Sequence, residues 1–213
     1  MNILILGAAG RIGRLVTKYL LSQTNHHLIL FARKAHERIK VIEPGRVKLV
    51  EGDFNSSPAL NKAMKEVDIV YLNAMDDTAG LKNILSAMEQ NKVTKFIGAS
   101  ILGIYDEVPG AFGVWNKRMV GNERITLHAA NAGLIEASPL NYTILRLTWL
   151  YNQESNRRYM ITQKNEPFKG VQVTREAVSQ LIVDIIQQPF EMYFKTSLGV
   201  SEPNTDWDKP CFY

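Results

Sequence analysis

Residues 1–14 read MNILILGAAGRIGR. Asn2 to Leu6 is a short, nearly all-apolar run without charge, as expected of a strand buried on both faces in the middle of a parallel sheet. It runs directly into Gly7-Ala8-Ala9-Gly10-Arg11-Ile12-Gly13, a G-x-x-G-x-x-G pattern. Each glycine has a separate use. Gly7 turns the chain tightly out of the strand. Gly10, without a Cβ, lets a pyrophosphate approach the backbone. Gly13 lets the following helix pack closely on the sheet. That helix begins near Arg11 and is amphipathic through Ile12, Leu15, Val16, Tyr19 and Leu20. Its free N–H groups and dipole would face the phosphates. Placed between a strand and a helix, the pattern reads as a dinucleotide-binding turn.

The rest of the chain continues the alternation. Strands are expected at His27–Ala32, Val47–Val50, Val67–Asn73, Lys95–Ser100, Asn141–Leu147 and Met192–Leu198. Helices are expected at Pro58–Lys65, Asp76–Lys92, Asn116–Gly133 with Gly133 as its C-terminal cap, and Val178–Gln187 capped by Thr174. Residues 158–173 show only short extended pieces. Such alternation gives an α/β fold with a parallel sheet covered by helices on both faces. There is no internal repeat, low-complexity segment or linker, so one domain is expected, with any substrate region built from loops and the last third of the chain.

Composition bounds the rest. The 213 residues are 46% hydrophobic and 22% charged, ordinary values for a globular domain. No apolar run approaches the ~20 residues of a membrane span, and the first residues lack the basic region of a signal peptide. Cys211 is the single cysteine, so neither an intrachain disulfide nor a thiolate-rich zinc site is expected, and a cytoplasmic location is the simplest. The net charge of +4 comes without a long Lys/Arg run, so nucleic acid is not the expected partner. His26, His27, His36 and His128 lack metal-ligand spacing, and no metal is expected. Asp76 and Asp77 read as a helix N-terminal pair. Trp149 and Tyr151, with Phe112 and Trp115, either stack on a planar substrate or pack the last third of the chain.

GAAGRIG at 7–13, EGDF at 51–54, VYLNA at 70–74, FIGAS at 96–100, NYTILRLTWL at 141–150 and VTREAV at 173–178 follow one another along most of the chain. In that order they resemble the short-chain dehydrogenase/reductase superfamily in its atypical, NAD(P)H-binding branch, which includes NmrA-like, biliverdin-reductase-B-like and epimerase/dehydratase-like proteins. The resemblance implies a Rossmann fold: a doubly wound, mostly parallel sheet of about seven strands, with NAD(P) across their C-terminal ends. It implies a single NAD(P)-binding domain over residues 1–213, with a small substrate side formed by loops and roughly residues 148–213. The motifs are specific for fold and cofactor and much less so for the reaction.

Carried over position by position, Gly7, Ala9, Gly10, Arg11, Ile12 and Gly13 match the diphosphate turn. Arg33, with Lys34 next to it, stands where an NAD-preferring protein has Asp or Glu for the ribose 2′-hydroxyl, so NADP(H) is expected over NAD(H). Asp53 and Phe54 match the residues beside the adenine; Asn73 and Ala74 match the segment beneath the ribose. In catalytic members a Ser after the fifth strand works with a Tyr-x-x-x-Lys, the lysine lowering the tyrosine pKa for proton transfer while hydride moves. Ser100 and Lys117 occupy the serine and lysine positions, but Gly113 stands where the tyrosine should be. Tyr105, in the preceding loop, is the substitute candidate. The expected activity is hydride transfer between NADP(H) and a small quinone, flavin or carbonyl acceptor by a monomer or homodimer that engages neither nucleic acid nor membrane. The alternatives are a non-catalytic NADP(H) sensor and, ranked lower because the chain leaves little room for a substrate domain, a sugar-nucleotide epimerase or dehydratase.

Overall fold

The apolar run Asn2–Leu6 forms β1, and every side chain from Ile3 to Leu6 is buried. Ile3 and Ile5 face one hydrophobic layer while Leu4 and Leu6 face the other. This two-sided burial follows from the period of two along a strand. The computed structural model describes residues 1–213 apart from the side chain of Phe190. Beyond β1, the strands are β2 (His27–Ala32), β3 (Val47–Glu51), β4 (Ile69–Leu72), β5 (Lys95–Ile101), β6 (Asn141–Leu147), β7 (Trp149–Tyr151), β8 (Met160–Thr162), β9 (Gln172–Thr174) and β10 (Thr196–Ser201). The helices are α1 (Arg11–Gln23), α2 (Ala35–Arg38), α3 (Ser57–Ala63), α4 (Thr78–Gln90), α5 (Gly110–Val120), α6 (Asn122–Glu136) and α7 (Arg175–Gln187).

The main sheet runs β3-β2-β1-β4-β5-β6-β10-β8, parallel throughout except for β8, which pairs antiparallel with β10 at the edge. The order 3-2-1-4-5-6 is that of a doubly wound dinucleotide-binding sheet, whose strand order reverses between β1 and β4. Here β1 pairs with both β2 and β4, Leu6 lying opposite Phe31 and Leu72. α1 and α7 cover one face through Ile12, Val16, Leu20, Leu181 and Ile185; α3, α4 and α6 cover the other through Leu60, Leu81, Ile84 and Ile135. Fully burying such a side chain contributes about 1.5–3 kcal/mol.

The sheet has eight strands where about seven were expected; the additional edge strand, β8, has only three residues and no periodicity to betray it. A second sheet, β7 with β9, also made of three-residue strands, lies outside the main one. The helix expected over Asn116–Gly133 is two helices, broken at Gly121 with φ +85°. Gly133 is no cap, because α6 runs through it to Glu136. The strand expected at Met192–Leu198 starts later, at Thr196, after a 3-10 turn. Thr174 caps α7 as expected, its hydroxyl accepting from the Ala177 N–H at 2.9 Å.

Gly13 packs α1 directly onto the glycine turn: a Cβ there would stand 2.8 Å from the Gly7 carbonyl oxygen and 2.9 Å from Ala8 Cα. Both are backbone atoms that cannot rotate aside. Although alanine is the better helix former, Gly13→Ala is expected to lower stability by about 1–3 kcal/mol, the overpacking range. Urea unfolding of wild type and variant reads the effect directly, and an unchanged midpoint would refute it.

Candidate cofactor and active site

Gly7 leaves β1 with φ +83°, in the region open to glycine, and the N–H groups of Gly7 and Ala8 both donate to the Phe31 carbonyl. α1 then starts at Gly10 without a side-chain cap and without an acid in its first turn. Its leading N–H groups and dipole are therefore open to an anion. Arg11, at the first position, is exposed, and Ile12 is buried in the core. Asn73 packs behind the turn: a Cβ on Gly10 would fall 2.7 Å from its Nδ2, and its Oδ1 accepts from the Tyr71 hydroxyl at 3.0 Å. Ala74 is exposed on the same segment.

A cleft of about 400 Å³ opens from this turn along the C-terminal ends of β1, β2 and β3. Gly7, Ala9 and Gly10 line it at the turn, and Phe31, Gly52 and Phe54 form an apolar end with Asp53 beside them. Phe31 and Phe54 stack with centroids 6.0 Å apart, and the Phe54 carbonyl is held by Asn83 Nδ2 at 2.9 Å. Asp53 closes a local turn by accepting from the Asn55 N–H. Arg33 and Arg38 enter the cleft together, and Arg38 Nη1 donates to the Arg33 carbonyl at 3.3 Å. Among the described residues neither guanidinium has a carboxylate partner. Lys34 takes a left-handed backbone (φ 52°), caps α2 and pairs with Glu37 on the surface, so it does not line the cleft. Arg38, one of the cations that follow Arg33 in the sequence, is the one that joins it in the cleft.

The cleft fits a dinucleotide on its own features: an uncapped helix start at a glycine turn, an apolar end wall and two uncompensated guanidiniums. At the first position of α7, Arg175 is half-buried near Arg11, and burial together with that neighbouring charge pulls its pKa down.

Toward the middle of the sheet, Ser100 is the last residue but one of β5 and is 3% exposed. Its Oγ lies 3.3 Å from Nδ1 of His128 on α6. Sequence reading passed over His128 for want of metal spacing, yet His128, Asn131, Ala132 and Ile135 form the buried stripe of α6, a helical spacing that marks it as inward-facing. Gly113 leaves no space for a side chain: a Cβ there would lie 2.1 Å from the Val108 carbonyl oxygen. Lys117, one turn on, is exposed and pairs with Asp106. Tyr105 donates to Glu136 Oε1 at 2.6 Å, under the ammonium of Lys164, which stands 4.4 Å from its ring centroid. Burial and the Glu136 carboxylate push its hydroxyl pKa up. Asp77 caps α4, accepting from the Gly80 N–H at 2.9 Å, while Asp76 lines the cleft. Trp149 donates to Asn116 Oδ1 at 2.9 Å and packs with Trp115 and Tyr213 beyond the end of β6. Tyr151 donates to the buried Glu202, and burial with that carboxylate pushes its pKa up to about 12. No group of three or more His, Cys, Asp or Glu among the described residues is placed to hold a metal ion. No helix among them is long and apolar enough to cross a membrane.

Strand order, glycine turn and cleft define a dinucleotide-binding Rossmann protein. Residues 7–189 match the profile of the family described as NAD(P)H-binding, and the chain belongs to it, within the atypical NAD(P)H-binding branch of the short-chain dehydrogenase/reductases. It is similar to a short-chain dehydrogenase/reductase from Veillonella parvula DSM 2008 solved in complex with NADP: 34% identity, 99% of each chain covered, TM-score 0.95. A Rossmann-fold NAD(P)-binding protein from Shigella flexneri shares 34% identity over 100% of this chain and 98% of that one, with TM-score 0.81. An anaerobilin reductase from Escherichia coli O157:H7 shares the fold at 18% identity, covering 96% of this chain and 98% of that one, with TM-score 0.76. A comparison with curated proteins found no match.

Proposed function

We propose that this protein is an NADP(H)-preferring oxidoreductase that passes hydride between the cofactor and a small quinone, flavin or carbonyl acceptor. The observation that carries the reading is the pair Arg33 and Arg38, both in the cleft, both without a carboxylate partner, at a strand end that lacks the acid an NAD ribose would need. The NADP complex of the Veillonella protein supports it. Bound there, the nicotinamide supplies the hydride. The chain's own part is to hold the diphosphate at the start of α1, the adenosine end at Phe31, Phe54, Arg33 and Arg38, and the nicotinamide end near Ser100. Residues 148–213, with Trp149 and Tyr151, form the substrate side of the single domain.

Gly113 decides which acceptors suit the site. The missing tyrosine cannot be restored in this backbone, because even a Cβ collides with Val108 O. Acceptors that take protons from solvent, such as quinones and flavins, tolerate this better than ketones. The same observation favours the second reading, an NADP(H) sensor without turnover. Oxidation of NADPH with a panel of quinones, flavins and aldehydes separates them: steady turnover supports the enzyme, and tight binding without turnover the sensor.

Tyr105→Phe belongs in the same assay. A kcat reduced more than ~10-fold with a carbonyl acceptor would make Tyr105 the proton donor. The bond to Glu136 and the raised pKa instead favour a role as a bolt between the β5–α5 loop and α6, with kcat within about twofold of wild type and a loss of about 1 kcal/mol in stability.

A further inference from the structure

We infer that His128 is a positioning residue that fixes the Ser100 hydroxyl as a hydrogen-bond donor toward the cofactor's nicotinamide end; the inference rests on the proposed function above. Ser100 and His128 are each 3% exposed and meet at 3.3 Å through Nδ1. The other ring nitrogen, Nε2, is buried and has no partner. One ring nitrogen of a neutral imidazole carries the proton. A proton on Nε2 would be a buried N–H with nothing to accept it, the rarest kind of orphan in folded proteins. A proton on Nδ1 is donated to Ser100 Oγ and leaves only an unfilled lone pair behind. The second arrangement is favoured, and it has a consequence for the serine. With its oxygen accepting from His128, its own hydrogen is free for another acceptor. Ser100 lies next to the C-terminal end of β5, the end of the sheet where ligands of open parallel sheets bind.

The surroundings keep the ring neutral. Burial and the Arg124 cation lower the His128 pKa, against an opposing pull from Asp76. Asp76 lines the cofactor cleft, and the Met75 carbonyl just before it accepts from Asn131, one turn along α6 from His128. Asn131, the next residue on the same stripe, is occupied by Thr78 and the Met75 carbonyl, so it does not compete for the ring. The serine-plus-histidine pair thus supplies a fixed donor near the C-terminal end of β5.

Nitrogen-15 labelling of histidine tests the tautomer without any turnover. With only four histidines in the chain, the His128 resonances are assigned by their loss in His128→Asn. At neutral pH, long-range proton–nitrogen correlation on the intact wild type is expected to show the proton on Nδ1; a proton on Nε2 overturns the inference whether or not the protein is an enzyme. The kinetic arm compares His128→Leu with His128→Asn, whose amide can donate from nearly the same place as Nδ1. Leu is expected to lower kcat on the order of tenfold, the size of one hydrogen bond, with the NADPH KM unchanged. Asn is expected to recover most of that loss. Equal losses in both variants, or a loss confined to KM, overturn the positioning role. Absence of turnover in wild type, with Nδ1 protonated, would overturn the proposed oxidoreductase function and leave the dyad's geometry standing.

Discussion

Replacing Arg33 and Arg38 together by alanine is expected to bring NADP(H) and NAD(H) to equal affinity, from a wild-type preference of at least ~10-fold for NADP(H). A guanidinium binds two phosphate oxygens through its planar fork. One charge-assisted hydrogen bond contributes about 1.5–3 kcal/mol, and about 1.4 kcal/mol is tenfold in affinity. Both arginines are exposed, so solvent screening puts each at the low end. Arg33→Ala alone is expected to remove most of the preference, and the added Arg38→Ala the remainder, with NAD(H) affinity nearly unchanged throughout. Raised salt should weaken NADP(H) more than NAD(H). Calorimetric titration of wild type and both variants with the two cofactors decides it; equal affinities in the wild type would defeat the assignment of these arginines.

Glu107→Ala is expected to cost about 3–5 kcal/mol of stability, the range for stripping one partner from a buried ion pair. Arg146 is fully buried and Glu107 is 4% exposed, and they meet at 2.7 Å. Glu107 also accepts from the N–H groups of Gly103 and Tyr105, so it ties the loop after β5 to β6. Without it, the Arg146 charge keeps the carbonyls of Thr162, Gln163 and Ser197 and the face of the Tyr105 ring, but no carboxylate. Against a total of about 5–15 kcal/mol, this loss is large. Replacing the pair together, Glu107→Leu with Arg146→Met, should be milder than Glu107→Ala, because no lone buried charge remains. Urea unfolding gives both values, and a Glu107→Ala cost under about 1 kcal/mol would falsify the view of this pair as the loop's anchor.

What was legible in the sequence follows from how local each cause is. β1, the glycine turn and the start of α1 were readable to the residue because uniform burial and a turn demanding φ > 0 leave direct marks in residue type. Gly121 and Gly133 illustrate the limit. Both stand among helix formers, and only the three-dimensional path shows that the first breaks the helix while the second has open space beside it. β8 and β9 are three residues long and are defined by their neighbours rather than by any pattern of their own. Within the site, the glycines and Arg33 could be singled out by motif. His128 could not, because its meaning lies in what it faces across the fold. The collision at Gly113 is of the same kind: a missing tyrosine is visible in the letters, whereas the reason none can be put back lies in the Val108 carbonyl.

The aromatic group beyond β6 also makes the protein its own optical reporter. Trp115 and Trp149 hold their rings 4.8 Å apart at 57°, with Tyr213 edge-on to both. Indoles fixed at that distance and angle couple their transitions, which gives near-ultraviolet circular dichroism that depends on their mutual orientation. Of the three tryptophans, Trp207 has no place in this group, so one substitution, Trp207→Phe, leaves the emission to the coupled pair alone. A ligand that enters beside Trp149 then reads out as a change in colour and ellipticity, with no label attached.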